Sequence, residues 1–568
     1  MFKRSFALLL VLVLVLGAFA GCANQTEPAP AEDQEQPKDQ AEEPAPAEDK
    51  EMVLRWNLGS DPKTIDPQLN SASDGGHIIN NTFEGLMREV NGKLQPAMAE
   101  SYEVSDDGLT YTFKLRDAKW SDGKPVTAHD FEYAWKRALN PETGSEYAFQ
   151  MFYIKGGQEY FEGKGKVEDV AVKALDDKTL EVTLNAPTPY FLNLTSFYTY
   201  MPARKDVVEK DPEGWAKNPE LAVSNGPFKL AEYSTGDKIV LVKNENYWNV
   251  DAVKLDKIVA SMIVDQSTQL TAYESGELDA IDEVPTQEIP RLLAEEPTFQ
   301  ILPLLGTYYY IFNVDKEPTN DVRVRKALAL AIDRKAITEQ VTKRGETPAT
   351  GYVPPTLKLS NGKEFREVAG DYGIDPNKAQ VEEARKLLAE AGYPNGEGFP
   401  TLELVYNTSE NHKAIAEAIQ EMWKQNLGIN VTLTNQEWAV FQDTRHQGNF
   451  SIARAGWLAD YADPMTFLDM WTSYSGNNDA QWRWQKYGND TKLNPSNKRF
   501  EELIEKAKTV TGEERDSALL EAEKIMMDEM IVMPIYYYTD PTLVKEYVKD
   551  WEKTPLGHWY FGNAYIEK

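Results

Sequence analysis

The chain has 568 residues, with 91 Asp plus Glu against 60 Lys plus Arg and a formal charge of −31. So acidic a chain is repelled by phosphate backbones, which argues against nucleic acid as its main partner. One cysteine, Cys22, excludes internal disulfides and Cys-based zinc or iron–sulfur sites, and five histidines supply a His-cluster metal site poorly, so no metal or cofactor is expected.

Residues 1–21 read as an export signal: Lys3 and Arg4 are followed by an apolar run from Phe6 to Leu16, then by small residues. The run is short of the roughly 20 residues that span a bilayer. Phe19-Ala20-Gly21-Cys22 resembles a bacterial lipobox, which implies cleavage before Cys22 and lipidation of its sulfur, an anchor of two chains. Residues 22–51 then form an acidic, Pro-rich tether, in which Pro28-Ala-Pro-Ala-Glu-Asp33 recurs at Pro44 to Asp49. Such a composition cannot bury enough apolar surface to offset the entropy of ordering.

From Met52 onward strands and helices alternate. Leu109 to Leu115, Lys178 to Leu184 and Ile429 to Leu433 alternate apolar and polar residues, as half-buried strands do. Asp375-Pro376 signals a helix start, Val381, Ala384, Leu387 and Leu388 keep helical spacing, and Gly392 ends it. Ile415, Ile419, Met422 and Trp423 define a second helix that stops near Gly428 and feeds the strand at Ile429, an α/β order. Asn91-Gly92, Asp107-Gly108, Asp122-Gly123 and Asn225-Gly226 mark turns, and the Glu/Lys-rich stretch 498–530 reads as a solvated helix face. At roughly 100–200 residues per domain, about three domains or lobes fit the length.

Catalytic motifs are sparse. No phosphate loop, nucleophile elbow or His-Glu-x-x-His helix occurs. Ser60-Asp-Pro-Lys63 and Ser360-Asn-Gly-Lys363 match Ser-x-x-Lys, but neither opens an apolar-periodic helix and no Lys-Thr-Gly partner exists. A binding protein rather than an enzyme is expected.

Two stretches concentrate charge, aromatics and glycine. The first runs from Phe83-Glu-Gly-Leu86 through Leu94-Gln-Pro-Ala-Met-Ala-Glu100 to Trp120-Ser-Asp-Gly-Lys-Pro-Val-Thr-Ala-His-Asp130. The second comprises Tyr406-Asn-Thr-Ser409, Asn435-Gln-Glu-Trp438, Asp443-Thr-Arg-His-Gln-Gly448 and Ala453-Arg-Ala-Gly-Trp-Leu-Ala-Asp-Tyr461. Together they resemble the extracellular solute-binding proteins of family 5, in the oligopeptide-binding branch that serves ABC importers. The resemblance covers essentially all of 52–568.

It implies a type II periplasmic-binding-protein fold, an α/β fold of three lobes with the ligand cleft between two of them. Lobe I would comprise 52–83, 205–305 and 540–568, lobe II 84–204, and lobe III 306–539. By the same resemblance Asp460 would hold a peptide's α-ammonium group. Arg454, Arg445 and His412 would receive its C-terminal carboxylate, according to peptide length. Trp438, Trp457, Tyr147 and Tyr538 would line side-chain pockets, and Gly456 would offer main chain. Ser71 and Ser73 stand where relatives often carry an acidic and an aliphatic residue, and a family lysine falls near Thr342-Lys343.

The chemistry suits such a ligand. Peptides share an ammonium, a carboxylate and a line of amides, so a tolerant receptor bonds the main chain and leaves wet pockets for side chains. Arg matches a carboxylate through its planar fork, and buried termini need opposite charges. From spacing alone, Asp460 after Arg454 would be an ordinary ion pair and the aromatics ordinary core. The expectation is therefore a monomeric receptor, lipid-anchored at Cys22 outside the cytoplasmic membrane. It would capture oligopeptides of about two to five residues or longer and pass them to an ABC permease. Alternatives are a receptor for a dipeptide, a cell-wall peptide or a peptide pheromone, and, in another class, a secreted Ser-x-x-Lys acyl-transfer enzyme.

Overall fold

The computed structural model describes residues 51–90, 92–486 and 493–567. The signal segment, Cys22, most of the tether and Asn91 lie outside the described residues.

One mixed sheet of 11 strands organises the body. From one edge its order is Val431–Gln436, Leu402–Asn407, Ile452–Leu458, Phe299–Phe312, Val532–Val544, Ala280–Ile281, Val53–Asn57, Lys257–Ser261, Lys238–Lys243 and Phe228–Ser234, with Thr347–Pro348 also paired to Val532–Val544. Leu402–Asn407 and Val431–Gln436 are parallel, and helix Glu410–Leu427 makes the crossover between them. The two longest strands, Phe299–Phe312 and Val532–Val544, run antiparallel through the middle of the sheet. Their register slips between the pairs Pro303–Thr539 and Thr307–Tyr537, a bulge on the first strand. Leu305, inside the bulge, takes other partners: its N–H donates to Pro555 O at 2.7 Å, and its carbonyl accepts from Ala459 N at 2.8 Å. A Cβ at Gly306 would lie 2.6 Å from the Trp457 carbonyl, so only glycine lets the strands approach here.

A second, antiparallel sheet in the order Ala99–Val104, Thr110–Leu115, Thr179–Thr183, Val172–Asp176 lies wholly within 84–204. Helix Ala128–Leu139 packs on it through Phe131, Ala134, Trp135, Ala138 and Leu139, a helical stripe. Thr127 and Asp130 form its capping box, with Thr127 N donating to Asp130 Oδ2 at 2.9 Å.

The expected strands appear as Thr110–Leu115, Thr179–Thr183 and Val431–Gln436. Helix Glu410–Leu427 ends on Gly428, whose φ of 70° is left-handed. Three expectations need correction. The helix expected from Asp375 starts at Val381, because the Asp375 carboxylate accepts from Asn377 N at 2.9 Å and closes a turn of its own. Asn225-Gly226 is a buried brace: Asn225 Nδ2 donates to Glu84 O at 2.9 Å, and a Cβ on Gly226 would meet the Thr82 backbone. Stretch 498–530 is not a simple solvated face, since Glu523 on helix Gly512–Glu529 is fully buried. Its carboxylate accepts from the Tyr352 and Val353 amides at 2.9 and 2.7 Å, from Arg366 Nη1 at 2.8 Å and from the Tyr372 hydroxyl at 2.6 Å. Charge patterning cannot distinguish such a buried hub from its solvated neighbours.

Candidate functional site

Strand Ile452–Leu458 carries the site. Antiparallel pairing with Phe299–Phe312 sets Arg454 opposite Tyr310 and Gly456 opposite Tyr308, and the chain continues past the strand end to Asp460. Two chambers open along it. One, of about 110 Å³, is lined by Ser71, Ser73, Tyr147, Trp438, Arg445, Arg454, Gly456, Trp457 and Asp460, among others. The other, of about 260 Å³, is lined by His412, Ser73, Asp74, Glu283, Glu437, Trp438 and Arg454, among others. Ser73, Trp438 and Arg454 wall both chambers, so the two are parts of one cleft.

Asp460 is 9% exposed. Its carboxylate accepts from Gln150 Nε2 at 2.6 Å, the Tyr147 hydroxyl at 3.2 Å and the Thr466 hydroxyl at 3.3 Å. All three donors are neutral, and no cation pairs with Asp460 among the described residues. Burial, with Asp469 adding repulsion, pushes its pKa well above the usual carboxylate range. Such a carboxylate favours either a proton or a cation.

Arg454, also 9% exposed, has the converse problem. Nη2 donates to the Tyr538 hydroxyl at 2.9 Å, Nη1 reaches Asn407 Oδ1 at 3.4 Å, and the guanidinium lies 4.7 Å from the Tyr308 ring centre. Nε has no partner, and no carboxylate pairs with Arg454 among the described residues. Burial opposes its charge, but the surrounding phenols Tyr538 and Tyr308 outweigh burial and leave its pKa raised. His412, on the first turn of helix Glu410–Leu427, shares the Tyr308 hydroxyl at 3.3 Å through Nδ1. Burial, then the charges of Arg454 and Arg344, hold its imidazole well below its ordinary range and therefore neutral.

The remaining expected residues divide. Trp457 stacks on Tyr147 with ring centres 6.1 Å apart. Tyr538 supports Arg454 and is not among the chamber-lining residues; a Cβ on Gly456 would lie 2.2 Å from its hydroxyl, so the glycine makes room for it. Arg445 lines the smaller chamber but already pairs with Asp479 at 3.1 Å. Beside it His446 pairs with Glu146 at 2.8 Å, and Lys63 joins Asp443 at 2.8 Å. Ser71 and Ser73 line the cleft, whereas Lys343 is exposed and it is the neighbouring Arg344 whose charge, after that of Arg454, reaches His412. The Ser60 hydroxyl donates to Asp74 at 3.3 Å while Lys63 turns to Asp443, so this Ser-x-x-Lys pair is not assembled as a nucleophile and base. Ser360 likewise bonds Asp516. Sequence reasoning missed Gln150, Thr466, Tyr308 and Asp74; neutral polar side chains and one more acid in an acidic chain carry no spacing signal.

Comparison with known proteins follows the same lines. The family model for bacterial extracellular solute-binding proteins, family 5 Middle, matches residues 93–479. The oligopeptide-binding protein OppA of Bacillus subtilis is 41% identical over 524 residues, 91% of this chain and 93% of that one. Haemophilus influenzae OppA, solved in complex with the peptide RPPGFSPFR, superposes with a TM-score of 0.83 at 35% identity, covering 92% of this chain and all of the other. The murein tripeptide-binding protein MppA of Escherichia coli gives 0.81 at 33% identity, covering 91% of this chain and 99% of that one. An unliganded open form of MppA gives only 0.59 at 34% identity, covering 91% of this chain and 98% of that one. The fold is the type II periplasmic-binding-protein fold. The chain belongs to family 5 of the bacterial extracellular solute-binding proteins.

Proposed function

We propose that this protein is a receptor that captures oligopeptides by their main chain and terminal charges and hands them to an ABC permease. One observation carries the reading: a single cleft holds a buried carboxylate with no cation at Asp460 and a buried guanidinium with no carboxylate at Arg454. A zwitterionic peptide answers both, since its ammonium neutralises one and its carboxylate the other. Arg454 lies within the strand Ile452–Leu458 and Asp460 two residues beyond its end. The expected ligands that bridge them are oligopeptides of about two to five residues or longer. The orphaned Nε1 atom of Trp457 suits a wet, tolerant lining.

In the same reading 52–83, 205–305 and 540–568 form lobe I, 84–204 lobe II and 306–539 lobe III. The protein works as a monomer, held at the outer face of the cytoplasmic membrane by lipid on Cys22. Binding without turnover is its role. The test is calorimetry on protein refolded to strip bound ligand. Tri- to pentapeptides bind one to one, and N-terminal acetylation abolishes binding. Peptides that bind equally well when acetylated overturn the Asp460 anchor; no heat with any peptide overturns the receptor.

A further inference from the structure

A charged cluster beside the smaller chamber, which Arg445 and Asp479 line, joins three distant parts of the chain. His446, the last residue of helix Trp438–His446, sets Nδ1 2.8 Å from Glu146 Oε1 and Nε2 3.7 Å from Asp479 Oδ1. Arg445 pairs with the other oxygen of Asp479 at 3.1 Å, and Lys63 lies 2.8 Å from Asp443 and 3.8 Å from Glu146. Only 14% of the His446 side chain and 4% of that of Asp479 is exposed. The Lys63–Asp443 pair stands in solvent and adds little. Backbone packing is close here as well: a Cβ on Gly476 would lie 2.6 Å from Glu146 Cα.

An imidazole with a carboxylate at each ring nitrogen is satisfied only as the imidazolium, because a neutral ring turns one lone pair on an oxygen. Charges then balance, with Glu146, Asp443 and Asp479 against Lys63, Arg445 and His446. A helix C-terminus favours the same cation. In the receptor and lobe reading above, on which this inference rests, Glu146 stands on one side of the cleft and His446 with Asp479 on the other. We propose that His446 is a latch between the two sides, an imidazolium clamp that holds a bound peptide in and loosens when the ring loses its proton.

Titration follows the geometry. Burial opposes the charge on both partners, but Asp479 and Glu146 outweigh burial and the repulsion of Arg445, and raise the His446 pKa above its ordinary value. Glu146, in turn, is held below the usual carboxylate range by His446 despite its burial. A group raised in this way stabilises the arrangement fully below its ordinary pKa of about 6.5, and that stability is lost as pH rises through the raised value. With peptide bound, Asp460 does not share this dependence, since the ammonium keeps it ionised. Burial holds His77, His412 and His558 below their ordinary values, and His129 lies on the surface beside Asp177, so the role falls to His446 alone.

The experiment loads the stripped protein with a tetrapeptide that carries a fluorophore on a side chain and keeps both termini free. Release is then timed against an excess of unlabelled tetrapeptide, between about pH 5.5 and about pH 8.5. The wild type should release about tenfold faster at the upper end. His446→Gln should release at the fast rate throughout, and Glu146→Gln should flatten the profile; two variants on different segments guard against a folding defect in one. Proton NMR of the loaded protein reads the ring directly: the imidazole signal missing from His446→Gln should titrate above about 6.5, and lower in Glu146→Gln. A pH-independent release rate in the wild type overturns the latch, as does a wild-type profile in both variants or a ring that titrates at or below its ordinary value. In each of these cases peptide still binds, which separates this failure from that of the receptor reading, where no tetrapeptide binds at all.

Discussion

The Tyr147 hydroxyl donates to Oδ1 of Asp460 across 313 residues of sequence, at 3.2 Å. Tyr147 stands beside a short 3₁₀ turn next to the four-stranded sheet, and Asp460 follows a strand of the large one. Their contact, with that of Gln150, joins residues 147–150 to the end of the strand that carries Arg454. In the proposed reading, the hydrogen bonds that hold this carboxylate for a peptide ammonium also tie the two sides of the cleft together, so recognition and closure would be one event.

In the proposed reading, removing that carboxylate strands the peptide ammonium. Asp460→Ala should cost about 2–5 kcal/mol of affinity, roughly 30- to several-thousand-fold in Kd. Titration calorimetry with a free-amine tetrapeptide measures it, and an unchanged Kd would sink the assignment.

Gly456→Ala should act through Tyr538. The new methyl lies 2.2 Å from the phenol oxygen, so the ring must swing away and Arg454 loses its 2.9 Å bond. A hydrogen bond to a charged group contributes about 1.5–3 kcal/mol, so peptide affinity should fall roughly 10- to 150-fold with little change in Tm. Tyr538→Phe loses the same bond, so the double variant should be much less than additive. Additive losses would contradict the coupling.

Closure of the peptide-free receptor should be pH-dependent. Burial, with Asp469 adding repulsion, raises the Asp460 pKa in the present arrangement, and opening the cleft to water would remove that burial. A group whose pKa is raised stabilises the state that raises it at low pH, and that stability is lost as pH rises through the raised value. The closed fraction without peptide should therefore grow on acidification from neutrality, read by the distance between fluorophores on either side of the cleft. Asp460→Asn should flatten the response, and a wild-type profile in that variant would refute it.

Glu523→Ala leaves Arg366 buried without its carboxylate and two backbone amides without an acceptor. Breaking a buried pair in this way costs about 3–5 kcal/mol, so urea unfolding should show a clear drop in midpoint. A shift below about 0.5 kcal/mol would mean that water replaces the carboxylate.

What the sequence conveyed depended on the kind of signal. Periodicity located helix Glu410–Leu427 and strand Thr110–Leu115, because burying one face fixes which residues are apolar. Family motifs singled out Asp460 and Arg454, which the structure buries in one cleft and which spacing alone would have read as a surface pair. Gln150 and Thr466 escaped because neutral polar side chains acquire meaning only from the carboxylate they face. Asp74 and Glu523 escaped for the opposite reason: in a chain with 91 acids, one buried carboxylate leaves no trace in the composition.

The strand order has a consequence for biogenesis. Val53–Asn57, the first strand of the body, pairs with Lys257–Ser261 and with Ala280–Ile281, whose other neighbour, Val532–Val544, is near the chain's end. A nascent chain cannot complete this sheet until its last few dozen residues have been synthesised. Late completion leaves the centre of the sheet unpaired through most of synthesis and concentrates folding at the moment the final strand arrives.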